Sequence, residues 1–165
     1  MGRIFWLICV VFGLSQANTE PSNPSHEKNC SKPANLVELS NGKRYLFSSP
    51  TDANWAAANA SCTKLGLHLA TLKTQVDIDA VFKRAKEINP NYYWFISAKN
   101  FGKDRNPDHR WHDGSKLEEN SELWEISTPR TWTCVALHTA YNKKLYGIDC
   151  LYSLFYICEL PIQCY

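Results

Sequence analysis

The chain has 165 residues, 44% of them hydrophobic and 21% charged, and 18 Lys and Arg nearly balance 16 Asp and Glu for a net charge of +2. Near-neutrality excludes a protein that holds nucleic acid through a cationic surplus, and Lys83-Arg84 and Lys143-Lys144 are too short to be more than solvated faces. The length suits one domain with a real core.

Met1 to Arg3 is a short positive start, Ile4 to Leu14 an apolar run, and Ser15-Gln16-Ala17 puts small residues where signal peptidase cleaves. Residues 1–17 therefore read as a signal peptide, and the product as secreted and extracellular. The run falls short of the roughly 18 residues that cross a bilayer, and no later segment is continuously apolar, so no membrane span is expected. Residues 18–35, rich in Ser, Pro, Asn and charge, read as a flexible N-terminal segment, and 36–165 as the folded domain.

Export decides what the sulfurs mean. Of 7 cysteines, Cys9 leaves with the leader; Cys30, Cys62, Cys134, Cys150, Cys158 and Cys164 remain. In an oxidising compartment an even set in a small domain forms a disulfide framework more often than a zinc or redox centre. Six cysteines pair in about 15 ways, so counting leaves the connectivity open.

The folded part begins with a hairpin, Leu36 to Leu39 and Arg44 to Phe47 around Asn41-Gly42, a pair that accepts the positive φ of a tight turn. Thr51 or Asp52 is expected to cap a first helix whose apolar face is Trp55, Ala58, Cys62 and Leu65, with Gly66 as its left-handed stop. Leu67 to Leu72 alternates like a strand. Thr74 caps a second helix with Ile78, Val81, Phe82, Ala85 and Ile88 along one stripe, ended by Asn89-Pro90-Asn91. Tyr92 to Ser97 reads as a strand, Lys99 to Asp108 as a polar loop, and Asp113-Gly114 as a turn. Lys116 to Thr131 has little periodicity, and an irregular stretch of that length inside a compact domain is usually functional or stapled. Thr133 to Leu137, Lys144 to Asp149 and Phe155 to Glu159 close the chain as strands.

Catalytic signals are absent from the pattern. No Ser-centred glycine elbow occurs, the cysteines are needed as bridges, and Glu118-Glu119 sits in loop sequence, so no enzyme and no cofactor are expected. Asp108 to Asp113 holds two His and two Asp, but on an extended strand His109 and His112 face opposite sides; a solvated strand end is the better reading than zinc. His68 and His138 show no obvious partners. Asn59-Ala60-Ser61 and Asn29-Cys30-Ser31 fit the glycosylation triplet, making Asn59 and Asn29 candidate glycan acceptors.

Taken in order, Cys62-Thr-Lys-Leu-Gly66-Leu-His-Leu69-Ala70, Tyr93-Trp94-Phe95-Ile96-Ser97-Ala98 and Arg110-Trp111-His112-Asp113-Gly114 are landmarks, as are Cys134-Val135-Ala136-Leu137, Asp149-Cys150 and Tyr156-Ile157-Cys158-Glu159. Across roughly Leu36 to Leu160 this resembles the C-type lectin-like domain. The resemblance implies an α+β fold, two helices with antiparallel sheets and a long irregular loop lobe, stapled by disulfides. It also implies bridges Cys62 to Cys158 and Cys134 to Cys150, leaving Cys30 to pair with Cys164 or with another chain.

Lectins of this family generally grip sugar through calcium, using Glu-Pro-Asn or Gln-Pro-Asp on the long loop and Trp-Asn-Asp before the third of four cysteines. This chain departs at both places. Thr128-Pro129-Arg130 replaces the first, putting a guanidinium where a cation should sit, although aligning Glu125-Ile126-Ser127 instead would keep one carboxylate. Tyr146-Gly147-Ile148 replaces the second and leaves Asp149 nearby. No calcium is expected at the usual sugar position. Trp124, Glu125, Thr128, Arg130, Trp132, Tyr146 and Asp149 are the candidate ligand-binding residues. The implied function is glycan recognition in innate defence; the other reading is a metal-independent module binding an extracellular protein, as a disulfide-linked or paired subunit.

Overall fold

The computed structural model describes residues 33–103, 106–125, 134–140 and 142–164. Its first element is a hairpin of β1 (Val37–Glu38) and β2 (Arg44–Phe47), with Val37 opposite Tyr45. Gly42 turns the chain at a φ of 75°, a conformation side chains disfavour. From the turn, the Asn41 amide donates to Asp77 at 2.9 Å and Lys43 pairs with the same carboxylate at 3.0 Å. The hairpin is thereby fastened to the second helix.

The first helix, α1 (Trp55–Lys64), starts later than expected. Its cap is Asn54, whose side chain accepts from the Ala57 N–H, rather than Thr51 or Asp52. The reason lies next door: Ala53 is held extended by an antiparallel bridge to Leu154, so helical geometry cannot begin before Asn54. Gly66, at φ 72°, ends the helix; the Leu67 N–H returns to the Cys62 carbonyl and the Gly66 N–H to that of Thr63, each at 3.0 Å, which satisfies carbonyls a helix end would strand. Cys62 is fully buried, whereas Leu65, placed on the apolar face by periodicity, is 40% exposed because it is already the C-cap. The second helix, α2 (Gln75–Ile88), is capped by Thr74 as its sequence predicts, and the Thr74 hydroxyl donates to the Asp77 carboxylate at 2.9 Å.

Beyond α1 comes the short β3 (His68–Leu69), and beyond α2 the long β4 (Tyr93–Asn100) and β5 (His109–Arg110). The three C-terminal strands form where the apolar runs lie: β6 (Cys134–His138), β7 (Leu145–Ile148) and β8 (Phe155–Glu159). The main path runs β1-β2-β8-β4-β6-β7, with β3 on β8 and β5 on β4. One pairing differs from the expected antiparallel sheets: β4 and β8 run parallel, Trp94 beside Phe155. Lys99 and Asn100, expected in a loop, extend β4 because β5 returns to pair with them.

Period-two alternation in these strands builds two cores. Trp94, Ile96, Val135, Leu137 and Ile157 pack with Ile78, Val81 and Ala85 of α2, while Phe95, Ala136, Tyr156 and Cys158 pack with Ala58 and Cys62 of α1. The sheet is thus covered on both faces, which is why β6 and β8 read as continuous apolar runs.

Cys62 is bonded to Cys158 across a sequence separation of 96, and Cys134 to Cys150 across 16. Cys164, in the 3₁₀ turn Ile162–Cys164, is also disulfide-bonded; Cys30 lies outside the described residues. On the chain-entropy view a loop near 100 residues contributes about 4.7 kcal/mol and one near 15 about 3 kcal/mol. Replacing Cys62 and Cys158 together by Ala is therefore expected to lower the unfolding free energy in guanidinium more than replacing Cys134 and Cys150 does. Equal losses would contradict this ranking.

Candidate ligand-binding lobe

The lobe that follows β5 is held by one large side chain. Trp124 is only 2% exposed; its indole N–H donates to the Glu118 carbonyl at 3.0 Å, and its ring meets His109 edge-on at 4.9 Å. His109 is itself fully buried, with Nδ1 2.7 Å from Glu119. At His109 the solvated strand end expected there is corrected by this contact, since β5 carries that ring beneath the lobe, while Arg110, His112 and Asp113 are exposed as expected. Trp124 fills the core, and only a sliver of it reaches the lobe surface, where it lines a cavity. On either side of it, backbone bonds join Leu123 and Glu125 to Leu145 of β7 at 2.8 and 2.9 Å.

That register places Glu125 beside the end of the β6–β7 hairpin. Tyr146 donates its hydroxyl proton to the Asn142 side-chain oxygen at 2.7 Å, and the Asn142 amide donates to the Glu125 carboxylate. Lys144 reaches the Glu122 carbonyl from the same hairpin. A cavity of about 570 Å³ opens among Ser121, Glu122, Glu125, Asn142 and Lys144. The Tyr146 ring stands edge-on to Tyr93 and His138, at 5.9 and 5.7 Å, and Tyr93 stacks on His138 at 4.0 Å. His138, without an evident partner in the sequence, therefore belongs to an aromatic cluster.

Of the candidate residues, the structure brings Glu125 and Tyr146 together through Asn142. Asp149 is not part of the cavity lining; its carboxylate accepts from the Leu151 N–H at 2.9 Å and shapes its own turn. Thr128, Arg130 and Trp132 lie outside the described residues, as does Asn29, while Asn59 is half-buried on α1. Asn142 and Lys144 escaped the sequence reading because a hairpin end carries no periodicity to mark it.

Calcium takes about six to eight oxygen ligands. Among the described residues the cavity wall brings side-chain oxygens of Asn120, Ser121, Glu122, Glu125 and Asn142, of which the two glutamates are carboxylates, and the β7 positions Gly147 and Ile148 have none to give. No group of three or more His, Cys, Asp or Glu placed to hold a metal occurs among the described residues.

The Lectin C-type domain family matches residues 51–160, which takes in both disulfides and the whole lobe. The chain belongs to the C-type lectin domain family. A mouse relative, C-type lectin domain family 4 member E, is 24% identical over 163 residues, covering 90% of this chain and 73% of its own. A C-type lectin from the tunicate Polyandrocarpa misakiensis shares 27% identity and superposes with a TM-score of 0.59 over 71% of this chain and 96% of its own. The C-type lectin domain of murine dendritic cell inhibitory receptor 2, solved in complex with N-glycan, is 19% identical with a TM-score of 0.62, covering 78% of this chain and 98% of that one, and shares the fold.

Because Trp124 both fills the core and bonds Glu118, Trp124→Ala is expected to cost about 3 to 5 kcal/mol, the range for buried Trp truncations. Hydrogen exchange of the variant should show faster exchange at 116–125 than in β4. Unchanged protection of that segment would remove Trp124 from its anchoring role.

Proposed function

We propose that the protein is a secreted recognition protein that binds glycan without calcium through the lobe cavity, and that it serves innate recognition of foreign or self glycans. The observation that supports this most is the polar row in which Asn142 and Glu125, on the cavity wall, are joined through Asn142 to the Tyr146 hydroxyl. A sugar hydroxyl donates and accepts at once; a carboxylate accepts from several donors, and a phenol oxygen keeps lone pairs after donating its proton. The row therefore offers complementary partners without a metal. A neighbour of this fold that was solved with N-glycan supports the same ligand class here. Members of the family are in general binding modules, and no catalytic step is assigned to this chain. Secretion rests on the leader at residues 1–17, and no described helix is long and apolar enough to cross a membrane. Asn59 is proposed to carry N-linked glycan in the mature protein.

A second reading, a metal-independent module binding an extracellular protein or serving as a disulfide-linked subunit, is favoured by the turn after Cys150. Leu151 is 81% and Tyr152 55% exposed there, side by side. Large apolar side chains at a rim suit a protein contact better than a sugar.

Protein secreted from cells expressing the full chain, screened on a glycan array with and without chelator, separates these readings. Binding is expected to persist in chelator and to weaken about tenfold in Glu125→Gln, the loss of one charged hydrogen bond. Binding abolished by chelator and restored by calcium would refute the metal-free site, and an array blank under both conditions favours the protein partner.

A further inference from the structure

A second pocket, of about 360 Å³, shares no residue with the lobe cavity. Its lining includes Lys43 of the first hairpin turn, His68 of β3, Thr71, Lys73, His112, Asp113 and Glu159 of β8. The two imidazoles are stacked, centroids 4.6 Å apart and planes 16° apart, which joins β3 to the turn after β5. His68 Nδ1 lies 2.8 Å from the Leu69 carbonyl, which can only accept; Nδ1 therefore carries the proton and the neutral ring presents a lone pair at Nε2. One added proton turns that lone pair into a donor.

Among the described residues, each lysine and carboxylate lining the pocket has a partner. From the hairpin, Lys43 pairs with Asp77 of α2 at 3.0 Å and with Glu159 at 3.6 Å. Lys73 pairs with Asp113, which also accepts from the Ser115 hydroxyl at 2.6 Å. Glu159 further accepts from the Thr71 N–H at 2.7 Å. At neutral pH the two lysines are thus offset by carboxylates.

Acid shifts the balance in one direction. Burial, reinforced by Lys43, holds the His68 ring below the ordinary imidazole range, and burial followed by the neighbouring His68 does the same to His112. Burial pushes Glu159 up, against the Thr71 N–H and Lys43. The Lys73 ammonium and then Ser115 keep the Asp113 carboxyl well below the usual range, so it stays charged but engaged. Falling pH adds two positive rings and removes a buried negative charge, and two stacked cations need a counter-charge between or beside them.

We propose that this pocket is an oxyanion site that takes the sulfate group of a sulfated sugar, with His68 and His112 as its donors and Lys43 and Lys73 flanking them. A bare sulfate would leave most of the volume empty, whereas small-ligand pockets of about 300 Å³ and above enclose a ring-sized molecule. The site is independent of the lobe cavity and strengthens on acidification. Proton uptake and anion binding are linked, so each raises the affinity for the other.

The test is an NMR titration of the His68 and His112 ring protons in the full secreted protein. The probes are N-acetylglucosamine 6-sulfate, unsulfated N-acetylglucosamine, sodium sulfate, and sodium chloride at matched ionic strength. The sulfated sugar is expected to raise both ring midpoints and to bind at least about tenfold tighter near pH 5.5 than near pH 7.5, the effect of one proton taken up over about one pH unit. His68→Gln and His112→Gln should each flatten that dependence. Equal shifts with chloride, an affinity that ignores pH, or equal binding of the unsulfated sugar would overturn the site. Free sulfate binding as tightly as the sulfated sugar would overturn its assignment to a sugar. The wild-type titration stands even where a variant fails to fold.

Discussion

The shared use of β8 is the constraint on which the rest of the molecule depends. Its Ile157 to Glu159 stretch pairs with β2, while its other edge serves two strands in turn, β4 along Phe155 and Tyr156 and β3 along Cys158 and Glu159. Cys158 carries the bridge to α1, and Ile157 points into the core that α2 covers. One strand near the C-terminus thus binds the first hairpin, the short third strand, the central strand and the first helix. It explains why a chain with one parallel pair in a mostly antiparallel sheet holds together: β8 lies between elements covered by the two helices on opposite faces.

The fork between β3 and β4 also has an electrostatic result. Where strands diverge, backbone donors lose their ladder partners and must find others. Here the Thr71 N–H finds the Glu159 carboxylate, and the Thr71 and Ser97 hydroxyls meet at 3.0 Å. A buried carboxylate then requires cations, which Lys43 supplies at 3.6 Å. The imidazole-lined pocket is the outer rim of this split.

Much of the fold was legible because its determinants are local. Gly42, Gly66 and Thr74 carry turn and cap chemistry in their own side chains or lack of one, and the alternation of Trp94 to Ile96 and Val135 to Leu137 marks strands buried on two faces. The cap at Asn54 was not legible, because the bridge between Ala53 and Leu154 that delays it joins residues far apart in sequence. The candidate site divides the same way. Glu125 and Tyr146 stood out by residue type and position, but Asn142 joins them only once β6 and β7 are paired. His68 and His112 met for the same reason, through tertiary packing of β3 against the turn after β5. Glu159 did leave a local trace, as a lone carboxylate closing the run Phe155 to Cys158.

The lobe has a protective consequence for the sheet. Path order makes β1 and β7 the outermost strands, and unpaired outer strands invite a second molecule to add itself. The first is two residues long, too short a template. The second is more exposed to that hazard, yet the backbone bonds of Leu145 to Leu123 and Glu125 occupy its free side. The lobe therefore doubles as a guard strip: its clamp at Trp124 leaves neighbouring copies no open seam along that outer strand on which to polymerise.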